Sequence, residues 1–188
     1  MSGTLATYSD SELFALMQSE KRASDAAFKE LYERHNQRVY AYCLRVTGSA
    51  DDARDIFQEC FIKIYNAALT ANSSTNPAGL LLKIARNTCL NYKRDQKDNV
   101  AFKSEHAGVD MTQSYEQKEL LELIGMALQH LEFEFREAFV LRLYHGMDYD
   151  EISEITGEPP NNVRTRVWRA KEKIKIILSP YVSDIERL

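Results

Sequence analysis

Residues 148–175 read DYDEISEITGEPPNNVRTRVWRAKEKIK, two helical patterns joined by a tight turn. Asp148 is placed to cap the first helix, and Glu151 three residues on completes a capping box. Ile152 and Ile155 point toward a core, and the small Ser153 lets a second helix cross close by. Gly157 supplies a turn position with positive φ. Pro159 and Pro160 suit the first turn of the next helix, where a missing N–H costs nothing. In that helix Val163, Val167, Ala170 and Ile174 recur at helical spacing as a buried stripe. Arg164, Thr165, Trp168 and Arg169 occupy another face, flanked by Arg166, Lys171, Lys173 and Lys175. A small residue, Gly four positions later and Val six after that is the spacing of a helix-turn-helix. A solvated basic face is the commoner meaning of a charge run alone. Here six basic residues against the single acid Glu172 follow a Gly-centred turn, which points to DNA.

The 188-residue chain is 44% hydrophobic and 28% charged, enough apolar content for one domain or two small ones. Its net charge of −4 argues against a uniformly cationic surface, but nucleic-acid binding depends on local clustering. Cys43, Cys60 and Cys89 are an odd number without paired spacing, each among apolar neighbours, and read as buried reduced thiols of a cytoplasmic protein. A metal site joining them to His35 or His106 has no supporting spacing, so no metal or other cofactor is expected. No apolar run approaches the ~20 residues of a membrane span, and no export signal is visible at the N-terminus.

Upstream the pattern is helical throughout. Ser9 and Glu12 form a capping box ahead of a short helix. A long helix is expected over 24–48, its apolar face carrying Phe28, Leu31, Tyr32, His35, Val39, Tyr42, Cys43 and Val46. The next, from Ala50 to about Leu69, turns Ala53, Phe57, Cys60, Phe61 and Ile64 inward. Asp51, Asp52, Asp55, Gln58 and Glu59 crowd its outer side, where acids in the first turns suit the helix dipole. Asp55, Gln58 and Glu59, at i, i+3 and i+4, make a compact patch suited to a basic partner surface. The polar loop Asn72, Ser73, Ser74, Thr75 and Asn76 precedes a helix capped by Asn76 and opened by Pro77. Leu80, Leu81, Ile84, Ala85 and Leu90 bury one side of it. Lys83, Arg86, Asn87, Asn91, Lys93 and Arg94, with Tyr92, suit phosphates and unstacked bases.

FKELYERHNQRVYAYCLRVTGSADDARDIFQECFIKIY and NPAGLLLKIARNTCLNYKR resemble the second conserved region of extracytoplasmic-function sigma factors. LEFEFREAFVLRLYHGMDYDEISEITGEPPNNVRTRVWRAKEKI resembles their fourth. Together the two blocks span roughly residues 24–177, most of the chain. Between them QKDNVAFKSEHAGVDMTQ is polar and aperiodic, a flexible linker. The expected architecture is all-α: a domain over 1–95, a linker over 96–113, and a helix-turn-helix domain over 114–188. In the latter a first helix buries Leu120, Leu121, Ile124, Leu128 and Leu131, and a second runs from Glu134 to Tyr144.

The resemblance implies a factor that joins core RNA polymerase and aims it at promoters by recruitment, without catalysis. The family's DxxQExF segment, matched by Asp55, Gln58, Glu59 and Phe61, docks on a coiled coil of the large polymerase subunit, and the family's fourth region on its flap. By the same analogy Asn72 to Asn76, with Lys83, Arg86, Asn87, Lys93 and Arg94, handle the minus-ten element as a single strand. Asn161, Asn162, Arg164, Thr165, Arg166, Trp168, Arg169 and Lys171 meet the minus-thirty-five element as duplex. Arg164 and Arg169 are the candidate donors to guanine edges. An anti-sigma factor is implied as a further partner. The chain departs from the family pattern at Gly79 (usually Trp), at Glu158 (usually apolar) and at Asn161 and Asn162 (usually Gly-Thr). The rival readings are a stand-alone helix-turn-helix regulator, which gains nothing from the Asp55 patch, and a small helical enzyme, for which no catalytic constellation is visible.

Overall fold

A computed structural model describes residues 5–70, 76–96 and 115–185. The expected linker beyond Gln96, which is the last residue of a helix rather than linker, the loop residues Asn72, Ser73, Ser74 and Thr75, and His106 lie outside the described residues. All regular structure among those described is helical: a 3-10 turn Leu5–Thr7, then α1 (Asp10–Leu16), α2 (Lys21–Thr47), α3 (Ala50–Thr70), α4 (Pro77–Gln96), α5 (Tyr115–Gln129), α6 (Phe133–Phe139), a π-helical segment Val140–Tyr144, α7 (Tyr149–Thr156) and α8 (Pro160–Ile185). Contacts divide the chain into two compact units, Met1–Thr47 with Asp51–Phe102 and Gly48–Ala50 with Lys103–Leu188.

In the first unit, local chemistry sets the helix ends. The Ser9–Glu12 capping box is formed in both directions. Gly48 ends α2 at φ 79°, and Asn76 Oδ1 accepts the Gly79 N–H at 2.8 Å at the start of α4. A Cβ on Gly79 would stand 2.5 Å from Asn76 Nδ2, so the glycine leaves room for this cap. The core gathers Leu13, Phe14 and Met17 of α1, Leu31, Val39 and Tyr42 of α2, Ile56 and Ile64 of α3, and Leu81 and Leu82 of α4.

Arg34 of α2 uses all three guanidinium nitrogens on the N-terminal turn and its surroundings. It donates to the carbonyls of Leu5, Ala6 and Tyr8 and to Asp10 and Glu30. His35 Nε2 lies 2.6 Å from Asp10 Oδ2, which ties α2 to the start of α1. Tyr32, expected on the buried stripe, is exposed. It forms the rim of an edge-to-face aromatic cluster with Phe57 and Phe61, which extends to Phe28, Tyr40 and Tyr65.

Cys43, Cys60 and Cys89 are free and buried, one each from α2, α3 and α4. A hydrogen bond to Cys43 and burial raise the Cys60 thiol far above its ordinary value. For Cys43 the Cys60 contact acts downward, but Cys89 and burial leave it raised. Such thiols behave as small apolar side chains. Among the described residues no group of three or more His, Cys, Asp or Glu is placed to hold a metal ion.

In the second unit α8 is the central helix, packed against α5, α6 and α7. Leu128 and Leu131 are buried as expected, but Leu121 is exposed and the small Ala127 takes an inner position. Arg136, mostly buried, donates to the carbonyls of Gln129 and Leu131 and to the Gln129 side chain, closing the end of α5. The single helix expected over 134–144 is α-helical only to Phe139. Beyond it the His145 N–H reaches Val140 O at 3.2 Å, a wider π turn that ends at Gly146, φ 66°. Lys173 of α8 pairs with Glu132 at 2.5 Å and sits 4.6 Å from the Phe135 ring centroid, so this cation braces α8 on α6.

Candidate nucleic-acid interface

The helix-turn-helix of 148–175 is built from short-range interactions. Asp148 Oδ1 accepts the N–H groups of Asp150 and Glu151 at 2.9 and 2.8 Å, while Glu151 Oε2 accepts the Asp148 N–H at 2.8 Å. Gly157 takes φ 75° and its N–H bonds Ser153 O. Ile152 and Ile155 of α7 and Val163, Val167, Ala170 and Ile174 of α8 are buried together, which fixes the opposite side of α8 toward solvent.

That outer side carries Asn161, Asn162, Arg164, Thr165, Trp168, Arg169 and Lys171, all exposed. Trp168 is 62% exposed, an unusual position for the largest apolar side chain and an available stacking or packing surface. Arg164 and Arg142 both lie against the Tyr149 ring, their Cζ atoms 5.0 and 4.9 Å from its centroid. The ring preorganises two cations by cation–π attraction. Arg142 Nη1 also donates to Met147 O at 2.6 Å. Neither Arg142 nor Tyr149 stands out in the sequence as part of this surface. A cation seven residues before an aromatic helix start is a weak signal without the π turn that brings them together.

Arg166 differs from its neighbours. Its Nη2 lies 3.0 Å from Glu158 Oε1, with side chains 24% and 32% exposed, so its charge is folded back onto the turn. Asn162 Nδ2 donates to Glu158 Oε2 at 3.4 Å.

On α3, Asp55, Gln58 and Glu59 are exposed on one side, and Ile62 and Leu69 extend that row as exposed apolar residues. Glu59 pairs with Lys63 at 2.6 Å. Phe61 is 4% exposed: it lies beneath this face in the aromatic cluster and is not part of its contact surface. Asp52 accepts the Tyr92 hydroxyl from α4, which ties the acidic start of α3 to its neighbour. Ile62 was legible in principle, since it stands at i+3 and i+4 from Glu59 and Gln58.

On α4, Lys83, Asn87, Asn91 and Arg94 follow one another at helical spacing along an exposed strip. Lys93 is exposed beside it and Arg86 is half-buried. Arg94 Nε is 3.3 Å from Asp95. The opposite side, Leu81, Leu82, Ala85 and Cys89, is buried.

Residues 31–98 match the family of sigma-70 region 2, and residues 121–174 match sigma-70, region 4. The RNA polymerase sigma-H factor of Pseudomonas aeruginosa is 26% identical, over 90% of this chain and 95% of that protein. The ECF RNA polymerase sigma-E factor of Escherichia coli is 28% identical, over 89% of this chain and 94% of its own. Among solved structures, the sigma factor RpoE from Bartonella quintana, in complex with the anti-sigma factor NepR, has the same fold. Its TM-score is 0.68 at 22% identity, covering 81% of this chain and 96% of that one.

Proposed function

The chain belongs to the extracytoplasmic-function sigma factors of the sigma-70 family, and from that premise we propose how its surfaces divide the work of directing RNA polymerase to a promoter. Residues 1–95 and 114–188 act as two DNA-binding and polymerase-binding domains on the linker 96–113. The exposed row Asp55, Gln58 and Glu59, with Ile62, docks on the large polymerase subunit, and Phe61 holds the helix beneath it. The loop 72–76 and the Lys83–Asn87–Arg94 strip take the minus-ten element as single strand, amides toward base edges and cations toward phosphates. The outer side of α8 enters the major groove of the minus-thirty-five element, with Arg169 and Trp168 toward the bases. The observation that carries the reading is the exposed Trp168 between Arg164, Thr165 and Arg169 on a helix whose other side is fully buried.

Two modest DNA contacts on a tether become useful once polymerase fixes their spacing, which raises the effective concentration of each for its element. The chain works in the cytoplasm by recruitment and is not an enzyme. Among the described residues no helix is long and apolar enough to cross a membrane. An anti-sigma factor that covers the same exposed surfaces is its expected inhibitor. The solved relative bound to NepR supports this.

The test is run-off transcription with purified core polymerase. Specific transcripts that depend on the chain support the reading. Tight duplex binding by the chain alone, with no transcripts, would favour the stand-alone regulator.

A further inference from the structure

Glu158 is the one acid in the turn between α7 and α8, and it engages two side chains of the proposed DNA surface: Arg166 at 3.0 Å and Asn162 at 3.4 Å. Its own N–H donates to Thr156 Oγ1 at 3.3 Å, which holds the turn in the position that allows both contacts. A carboxylate at the start of α8 is favoured by the helix dipole. Arg164 and Arg169 face solvent without a carboxylate partner among the described residues, whereas Arg166 is neutralised and half-buried.

We propose that Glu158 limits the affinity of this helix-turn-helix for duplex DNA by withdrawing Arg166 from the phosphate backbone. The inference rests on the minus-thirty-five reading given above. One cation fewer on the groove-entering helix means one fewer counterion released on binding. The free chain then holds duplex weakly, and occupancy of the promoter depends on the polymerase tether.

The experiment uses the full chain with core polymerase and a duplex whose minus-thirty-five element is selected by that holoenzyme from a randomised library. Affinity is read by fluorescence anisotropy across a salt series. Glu158→Gln is expected to bind on the order of tenfold tighter, the size of one regained charge-assisted phosphate contact. Its log–log salt slope should steepen by about one. Glu158→Ala should show the same gain. Glu158→Gln with Arg166→Ala should bind no tighter than Arg166→Ala alone. Unchanged or weaker binding by both Glu158 variants would overturn the proposal, as would a gain that survives loss of Arg166. Trp168→Ala runs alongside. If it leaves binding intact, the duplex reading itself fails and the proposal falls with it. If it weakens binding while the Glu158 variants do nothing, only the role of Glu158 is refuted.

Discussion

Val167 and Trp168 are sequence neighbours on α8 with opposite environments, 2% and 62% exposed, and truncating each to alanine separates folding from DNA binding. Val167→Ala removes two buried methyl groups. At about 0.8 kcal/mol for each buried carbon plus a cavity contribution, the loss is about 2 kcal/mol. For a unit of this size that lowers the melting temperature by about 8–15 °C. Trp168→Ala removes a side chain that is already mostly in water, and alanine is the better helix former, so stability stays within about 0.5 kcal/mol. Its cost falls on binding. The exposed share of a roughly 200 Å² side chain sets an upper bound of about 3 kcal/mol when covered by DNA. Ordering and imperfect fit reduce this to about 1–2 kcal/mol, or roughly 5- to 30-fold in Kd.

Melting followed by circular dichroism and duplex titration followed by anisotropy measure the two effects. Trp168 is the chain's one tryptophan, so its emission in the parent protein reports the same contact directly. Emission unchanged by saturating duplex, or a Trp168→Ala chain that melts as early as Val167→Ala and binds DNA as the parent does, would refute the assignment.

Two further outcomes follow from the geometry. Tyr149→Leu frees Arg142 and Arg164 from a shared ring and should weaken duplex binding severalfold at low salt, given ~0.5–1 kcal/mol for an exposed cation–π contact. Tyr149→Phe, which keeps the ring, should bind as the parent does in the same anisotropy series. Cys43, Cys60 and Cys89, all buried and the first two with raised thiols, should resist iodoacetamide at pH 8 in the native chain and react in denaturant, as scored by intact mass.

Features fixed by neighbours in the chain were readable from the sequence. The two capping boxes, the glycine turns at Gly48 and Gly157, the Asn76–Pro77 helix start and the inner stripe of α8 each depend on contacts within a few residues. So was the acidic-amide row on α3, since helical spacing alone puts Asp55, Gln58 and Glu59 on one side. What escaped depends on contacts across the fold. Residue type does not tell a cation facing solvent from one folded onto a turn carboxylate, and only the 3.0 Å approach of Glu158 distinguishes Arg166 from Arg164 and Arg169. Phe61 fits a motif, yet its burial depends on where Tyr32, Phe57 and Phe28 place their rings. The reach of Arg34 to the carbonyls of Leu5, Ala6 and Tyr8 and the π turn at Val140–Tyr144 leave no periodic trace at all.

The central claim is recruitment of core polymerase through the outer row of α3. Its most direct test is run-off transcription on fragmented genomic DNA from the source organism, comparing core polymerase alone, with the chain, and with Asp55→Ala/Gln58→Ala. Both side chains are exposed, so the double variant should melt as the parent does. Discrete transcripts with the parent chain that disappear with the double variant are the expected result. Undiminished transcripts from the double variant, or none from the parent, would contradict it.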